Sequence, residues 1–519
     1  MNIKQKSEKI IANKKRIFLS FPMTVTVLTI SVALLAGVGS LGTFEEHRGC
    51  TMILVGKDAT ADGSVLMSYN NDASGKGASH VVVVPRKSHK PGEVYKLSNG
   101  ADIPQPAETY AYIGNAPKRT KELYFQNGVN EHQVAISFGT AVKVNEKAEE
   151  VDPLLKEGPG VPGLLIPWSL VLERAKTARK GVELVEKLFN KYGLREDGSF
   201  AIADPNEIWL FQIGGGHHWA AVRVPDNSYV IYDNTFRMGE VDCTDKANVR
   251  CSPNLIEFSE EKGLYDPAAG PFNFKKSWGR IYTRTPPTDH RIWRVQSLLT
   301  SSASLPPDTP YFDFPLFLEP EKKITKEMLM SIMRDHLEGT ELDLTDGYKL
   351  GNPHLMNEYT LCRTNTQYSV ITQLRGWLPS EIGGVLWLAM ATPDTSVYVP
   401  WYMGITEVPH VYQVGQGKSD PESAYWAFKR ISNLVNTHYG DLIEDVRKTW
   451  KAFEEREFKT QESVEKTAVE LFQQDESLGR AFLSSYSNAQ ALKAYNIAEE
   501  TINDLQTKLV DLLRKRVEK

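Results

Sequence analysis

Cys50 opens the first stretch that reads as folded chain, CTMILVGKDATADGSVLMSYNND, and it follows a glycine at the end of a very different N-terminal tract. If the Gly49–Cys50 bond is cut, one residue supplies both nucleophile and base. An α-amine titrating near ~7.7–8.0 accepts the proton of a thiol whose ordinary pKa is ~8.5. The protonated amine then returns its proton to the departing amine of an amide substrate, and water resolves the thioester. An amide nitrogen cannot act this way, so processing at Gly49 and Cys50 is a condition of the scheme. Attack by Cys50 on the preceding carbonyl is one route, with the glycine allowing a sharp bend around a strained bond. Two other readings stand beside this one: an inert buried thiol, and a lipid-modified cysteine, against which the charges of His47 and Arg48 count.

The segment forms a hairpin pattern: an apolar run at 51–55, a Lys-Asp-Ala-Thr-Ala-Asp-Gly turn, and a second run at 64–68. The whole string resembles the mature start of peptidase family C69, the dipeptidase A-like members of the N-terminal nucleophile hydrolases. Similar blocks are GVNEHQVAIS at 128–137, LVLERAKTARKGVELVEKLFNKYG at 170–193, IADPNEIWLFQIGGGHHWAAVRVPDNSYVI at 202–231, RDHLEGTELDLTDG at 334–347 and CRTNTQYSVITQLRGWLP at 362–379. The resemblance covers residues 50 to about 480. It implies a mixed α/β fold, the four-layer αββα sandwich, and hydrolysis of dipeptides or short peptides through Cys50 without a cofactor. It also implies that Asp72, after the second strand, holds the α-amine, a role suited to a carboxylate beside an ammonium. Related cysteine members often carry an arginine three residues earlier, where this chain has Tyr69. That departure keeps an inactive, membrane-attached binding homologue among the alternatives. Another linear amide, such as an N-acyl amino acid, a bile-salt conjugate or a penicillin side chain, is the second enzymatic reading, because the nucleophile serves any of these.

Acyl transfer needs donors aimed at its oxyanion. The resemblance implies Asn234, ending the strand at 228–232, as the donor, and Thr140, after the strand at 134–138, as a further polar pocket residue. For substrate contacts the sequence offers Asn130 and Glu131 as an acidic notch for a free amine, Arg291 and Arg294 in DHRIWR for a carboxylate or, as the resemblance implies, for charge near Cys50, and His218 of GGGHHW. Strand alternation would send His217 and His218 to opposite faces. No HExxH or HxH spacing supports a metal, the carboxylates at 335–343 do not follow an EF-hand pattern, and no metal is expected. Arg363, Thr364 and Arg375 receive no role. Cys243 and Cys251, eight positions apart in a polar loop, are expected to form a disulfide, leaving Cys362 as a free thiol.

These residues must be carried by strands at 51–55, 64–68, 80–84, 134–138, 208–213, 219–224, 228–232, 368–374 and 385–390. Val171, Ala175, Ala178, Val182, Val185 and Phe189 predict one helix with a single apolar stripe, stopped by Gly193. From Pro421 onward the chain reads as helical, either as a short coiled coil or packed back onto the body. The division that follows is residues 1–49 as signal peptide or membrane anchor plus propeptide, 50–415 as the catalytic domain, and 416–519 as a helical extension. Six basic residues up to Arg16 precede the apolar run 17–38, an export pattern long enough to stay as an anchor, so the body is expected outside the cytoplasm. A homo-oligomer is compatible with the chain. With 60 Lys+Arg against 65 Asp+Glu in 519 residues, a nucleic-acid partner is not expected.

Overall fold

The computed structural model describes residues 49–73, 77–96, 102–117, 126–140, 142–156, 165–281, 290–356 and 360–517. The segment 17–38 and its basic flank lie outside them, and among the described residues no helix is long and apolar enough to cross a membrane. In chain order the framework begins with strands β1 (Thr51–Val55), β2 (Val65–Asp72), β3 (Ser79–Val84), β4 (Tyr112–Pro117), β5 (Asn127–Asn130) and β6 (Ala135–Phe138). Helices α1 (Leu165–Arg174) and α2 (Ala178–Tyr192) follow, then β7 (Gly198–Ala203), β8 (Ile208–Ile213), β9 (Trp219–Arg223), β10 (Tyr229–Tyr232) and β11 (Val249–Cys251). Next come α3 (His290–Leu299), α4 (Lys326–Ile332), β12 (Thr366–Leu374), β13 (Val385–Met390) and β14 (Val399–Tyr402). The chain closes with α5 (Ala424–Val435), α6 (Tyr439–Gln474) and α7 (Glu476–Val517).

Two antiparallel sheets form the centre, one in the order β10-β1-β2-β12-β13-β14 and one in the order β11-β9-β8-β7-β6-β5-β4-β3. Alternation along the second sheet divides its side chains between two cores. Ile136, Phe200, Ile202, Trp209 and Phe211 pack with Val171 of α1 and Val182, Val185 and Phe189 of α2. Ala135, Ala201, Ala203 and Leu210 face the core shared with Leu54 and Met67 of the first sheet, the small alanine side chains letting the sheets approach. The first sheet is covered by α5–α7: Trp387 meets Phe458 of α6 with ring centroids 5.5 Å apart, and the Tyr412 hydroxyl donates to the Ala491 carbonyl at 3.1 Å. Helix, sheet, sheet and helix make the four-layer αββα sandwich.

Some local expectations change. The helix expected across 171–189 is two helices: Thr177 breaks it at φ −145° and caps α2 by accepting from the Lys180 amide. The apolar stripe continues across the break because both helices pack on the same sheet face. Gly193 ends α2 at φ 69°, where a β-carbon would be strained. β7, central in the second sheet, gave no sequence signal because GSFAIA is short and built from small residues. Cys243 and Cys251 form a disulfide.

The long helices bring buried charge to the body. Glu465 of α6 is 2.7 Å from Arg375 at the end of β12 and accepts the Tyr402 hydroxyl at 3.0 Å, with both charged side chains nearly inaccessible. Glu454 pairs with Arg334 at 2.6 Å and accepts the Tyr398 amide. Removing one partner strands the other, so Glu465→Ala is expected to cost about 3–5 kcal/mol in denaturant unfolding, whereas a loss below about 1 kcal/mol would show Arg375 satisfied by other groups.

Candidate active site

Strand register gathers the site at one end of the first sheet. Thr51 lies opposite Asn70 near the end of β2, Met52 lies opposite Tyr232 at the end of β10, and Thr366 at the start of β12 lies opposite Asp72. Residues just outside these strand ends therefore converge: Cys50 before β1, Asp72 closing β2, Asn234 after β10 and Thr366 opening β12. Asp233 sets the turn after β10 by accepting from the amide and hydroxyl of Thr235. Thr140 ties the end of β6 to this turn, its hydroxyl donating to the Asp233 carbonyl while its amide donates to Ser199 Oγ at 3.1 Å. Thr140 thus shapes the turn that carries Asn234.

Arg291, in the first turn of α3, is the hub. It is 2% exposed, and its Nη1 donates to the Gly49 carbonyl, to the Cys50 carbonyl at 2.8 Å and to Thr51 Oγ1 at 3.1 Å. Its Nη2 donates to Asn234 Oδ1 at 3.1 Å. With that oxygen committed to Arg291, Asn234 turns its Nδ2 donor the other way. Gly49 is joined to Cys50, and its carbonyl lies against the Arg291 guanidinium.

Asp72 is buried beside the same bond. Its Oδ1 accepts the Thr366 hydroxyl at 2.5 Å; its Oδ2 has no hydrogen-bond partner among the described residues. A β-carbon on Gly49 would lie 3.1 Å from that Oδ2 and 2.2 Å from Arg363 Nη1. Any side chain at 49 would require the Arg363 guanidinium to shift. Burial raises the Asp72 carboxyl to about 6 against the opposing pull of Arg363, Thr366 and Arg291. Burial and the Asp72 charge push the Cys50 thiol up to about 11 against the opposing pull of Tyr69 and the charge of Arg291, and the thiol donates to the Asp72 carbonyl at 3.6 Å. The Tyr69 hydroxyl donates to the Gly139 carbonyl at 3.3 Å, and guanidinium groups reach the site from Arg291 and Arg363. Arg363 and Thr366 had no assigned role in the sequence, where nothing signals that β12 starts opposite Asp72.

Other expected site residues lie elsewhere. Asn130 is enclosed, donating to the Leu172 and Ala175 carbonyls and accepting from the His132 and Val134 amides, which consumes its side chain in fixing the β5–β6 turn. Glu131 pairs with Arg86 at 2.5 Å in a cleft of about 620 Å³ that also holds His132, Glu381 and Arg480, none of them a partner of Cys50. Arg294 is bound by both oxygens of Asp335, at 2.9 and 2.6 Å. His217 and His218 both turn to one carboxylate, Asp152, at 2.9 and 2.8 Å, because GGGHH is a turn and β9 begins only at Trp219. His218 is further packed on Phe258 and Trp278.

The raised Asp72 carboxyl has a definite sign. Its folded value exceeds the ordinary 3.8, so the folded, uncleaved chain binds the proton more tightly and loses stability as pH rises from about 4 to about 6. In a Cys50→Ala chain that keeps the 49–50 bond, Asp72→Asn is expected to remove about 2 kcal/mol of this pH-dependent loss, read as the difference in unfolding free energy between pH 4 and pH 7. An effect of equal size at both pH values would contradict the assignment.

The model of peptidase family C69 matches residues 49–452. A protein of Streptococcus pyogenes serotype M1 named probable dipeptidase B is 29% identical over 83% of this chain and 88% of its own length. Proteins named probable dipeptidase from Latilactobacillus sakei and Salmonella dublin are 30% and 32% identical, over 76% and 71% of this chain and 82% and 83% of theirs. The match takes in the Cys50 end of β1, Asp72, Asn234, Arg291 and the β12 segment, and the chain belongs to peptidase family C69.

Proposed function

We propose that the chain is a dipeptidase whose nucleophile is the Cys50 thiol and whose general base is the Cys50 α-amine, exposed when the Gly49–Cys50 bond is cut. The observation that carries this reading is the buried, unpartnered Asp72 Oδ2 beside Gly49. A desolvated carboxylate oxygen is costly to leave unpaired, and an ammonium group appearing at Cys50 would complete it. That ammonium would also reverse the local field, bringing both the thiol and the Asp72 carboxyl down from their raised values.

Maturation and turnover use the same atoms. In maturation, Cys50 Sγ attacks the Gly49 carbonyl carbon, the thiol proton passes to the Cys50 nitrogen, and the carbon–nitrogen bond breaks. This leaves Gly49 as a thioester and Cys50 with a free amine. Water then releases the Gly49 carboxylate and restores the thiol. In turnover the carbonyl of a dipeptide takes the place of the Gly49 carbonyl, with the Arg291 guanidinium and the Asn234 amide meeting the oxyanion. The names of the relatives support free dipeptides as substrates. The basic-then-apolar segment ending at 38 supports export, with or without a retained anchor.

Two outcomes test the reading. Intact mass should place the start of the mature chain at Cys50, with Cys50→Ala retaining Gly49 and losing dipeptide hydrolysis; a Cys50→Ala protein that still turns over dipeptides would refute it. Arg291→Ala, assayed on chain already cut before Cys50, is expected to lower kcat about 10²–10³-fold with a smaller change in KM. A change confined to KM would move Arg291 to ground-state binding.

A further inference from the structure

Directly behind the nucleophile lies a second constellation that the peptidase chemistry does not use. His336, His354, Cys362 and Asp394 each offer one ligand atom, and these atoms lie within 4.8 Å of one another. Their side chains are 0–1% exposed where ion pairs are measured, and Cys362 is fully buried. The four come from four separate connections: the turn after α4, the short helix Pro353–Met356, the segment entering β12, and the helical turn Pro393–Thr395 after β13. That scatter is why no ligand spacing was legible in the sequence.

The chemistry of the set is that of a borderline-soft divalent ion. Two imidazoles, a thiol and a carboxylate are the donors that zinc takes at about 2.0–2.3 Å, giving donor–donor edges of about 3.3–3.8 Å in a tetrahedron. Asp394 Oδ2 already lies 3.1 Å from His354 Nε2 and 3.6 Å from His336 Nε2, and the two rings stand at 88° with centroids 4.6 Å apart, not stacked. The outer contacts match as well. His336 Nδ1 is 3.0 Å from Glu338 Oε1, the carboxylate–histidine pairing that fixes a metal-bound ring, and the Tyr439 hydroxyl donates to Asp394 Oδ2 at 2.6 Å. The second oxygen of Asp394, Oδ1, is buried without a hydrogen-bond partner among the described residues. A cavity of about 660 Å³ between α4 and α6, with Glu338, Tyr348, Asp394 and Arg447 in its wall, provides the entry path.

We propose that His336, His354, Cys362 and Asp394 form a closed, structural zinc site that anchors the segment carrying Arg363 and Thr366 behind the nucleophile. On binding, the Cys362 thiol gives its proton to solvent and becomes the thiolate ligand; all four positions are filled by protein, so the ion carries no water for chemistry. The consequence is mechanical. Arg363 follows a ligand directly, and Arg363 and Thr366 are the groups that hold Asp72.

The test uses the full chain with Cys50→Ala and the 243–251 disulfide intact, in which Cys362 is the single remaining thiol. Protein produced in zinc-supplemented medium is expected to carry one zinc per chain by elemental analysis. Protein produced in cobalt-supplemented medium is expected to show the visible bands of tetrahedral cobalt and a near-ultraviolet thiolate-to-cobalt band, which can arise only from Cys362. Adding His354→Ala should abolish retention of the ion. If that variant does not fold, the thiolate band of the parent decides. Only trace metal in the parent, or stoichiometric metal without the thiolate band, would overturn the proposal, the latter by placing the ion elsewhere.

Discussion

A carboxylate buried at the end of an interior sheet strand must find positive charge, and this constraint organises the region around Asp72. Burial alone would protonate it near neutrality, and the partners that oppose this come from distant parts of the chain: Arg291 from α3, Arg363 and Thr366 from the start of β12. The sheet order explains how so many segments reach one point. β1, β2, β10 and β12 all have an end at the same edge, and the residue just beyond each end falls on the site. With Gly49 joined to Cys50, the Asp72 Oδ2 stays buried without a hydrogen-bond partner among the described residues. A buried polar atom left unsatisfied in this way is a familiar companion of function.

The rest of the architecture serves that edge. Small residues on the inner face of the second sheet let it press on the first, and α6 supplies Glu454 and Glu465 to neutralise arginines that would otherwise lie uncompensated in the body. The helical C-terminal region is therefore bonded into the sheet that bears Cys50. Thr140 shows the same economy at a smaller scale: it fixes the turn that aims Asn234, and Asn234 in turn orients Arg291.

How much of this was legible in the sequence depends on whether the relevant physics is local. Cys50, Asp72 and Asn234 were legible because each sits next to an apolar run whose end can be read from its turn residues. The two-sheet fold followed from resemblance, since periodicity alone indicates only mixed helix and strand. Arg291 was found as one of a pair, but only the structure separates it from Arg294, which Asp335 holds. Asn130 and His218 looked functional because polar residues beside glycines or turns often are; in the fold their side chains are consumed by backbone groups and by Asp152. Arg363, Thr366 and the cluster around Asp394 were out of reach, because their meaning depends on strand register and on contacts between segments far apart in the chain.

The central claim is that activity belongs to the chain with a free Cys50 amine. It is tested most directly by following one sample of purified full-length chain as it matures, measuring by mass the fraction that begins at Cys50 and, on the same aliquots, the rate of dipeptide hydrolysis. The freed amine as general base predicts a rate proportional to that fraction and passing through zero for uncut chain. A full rate in chain that still carries Gly49 would contradict it.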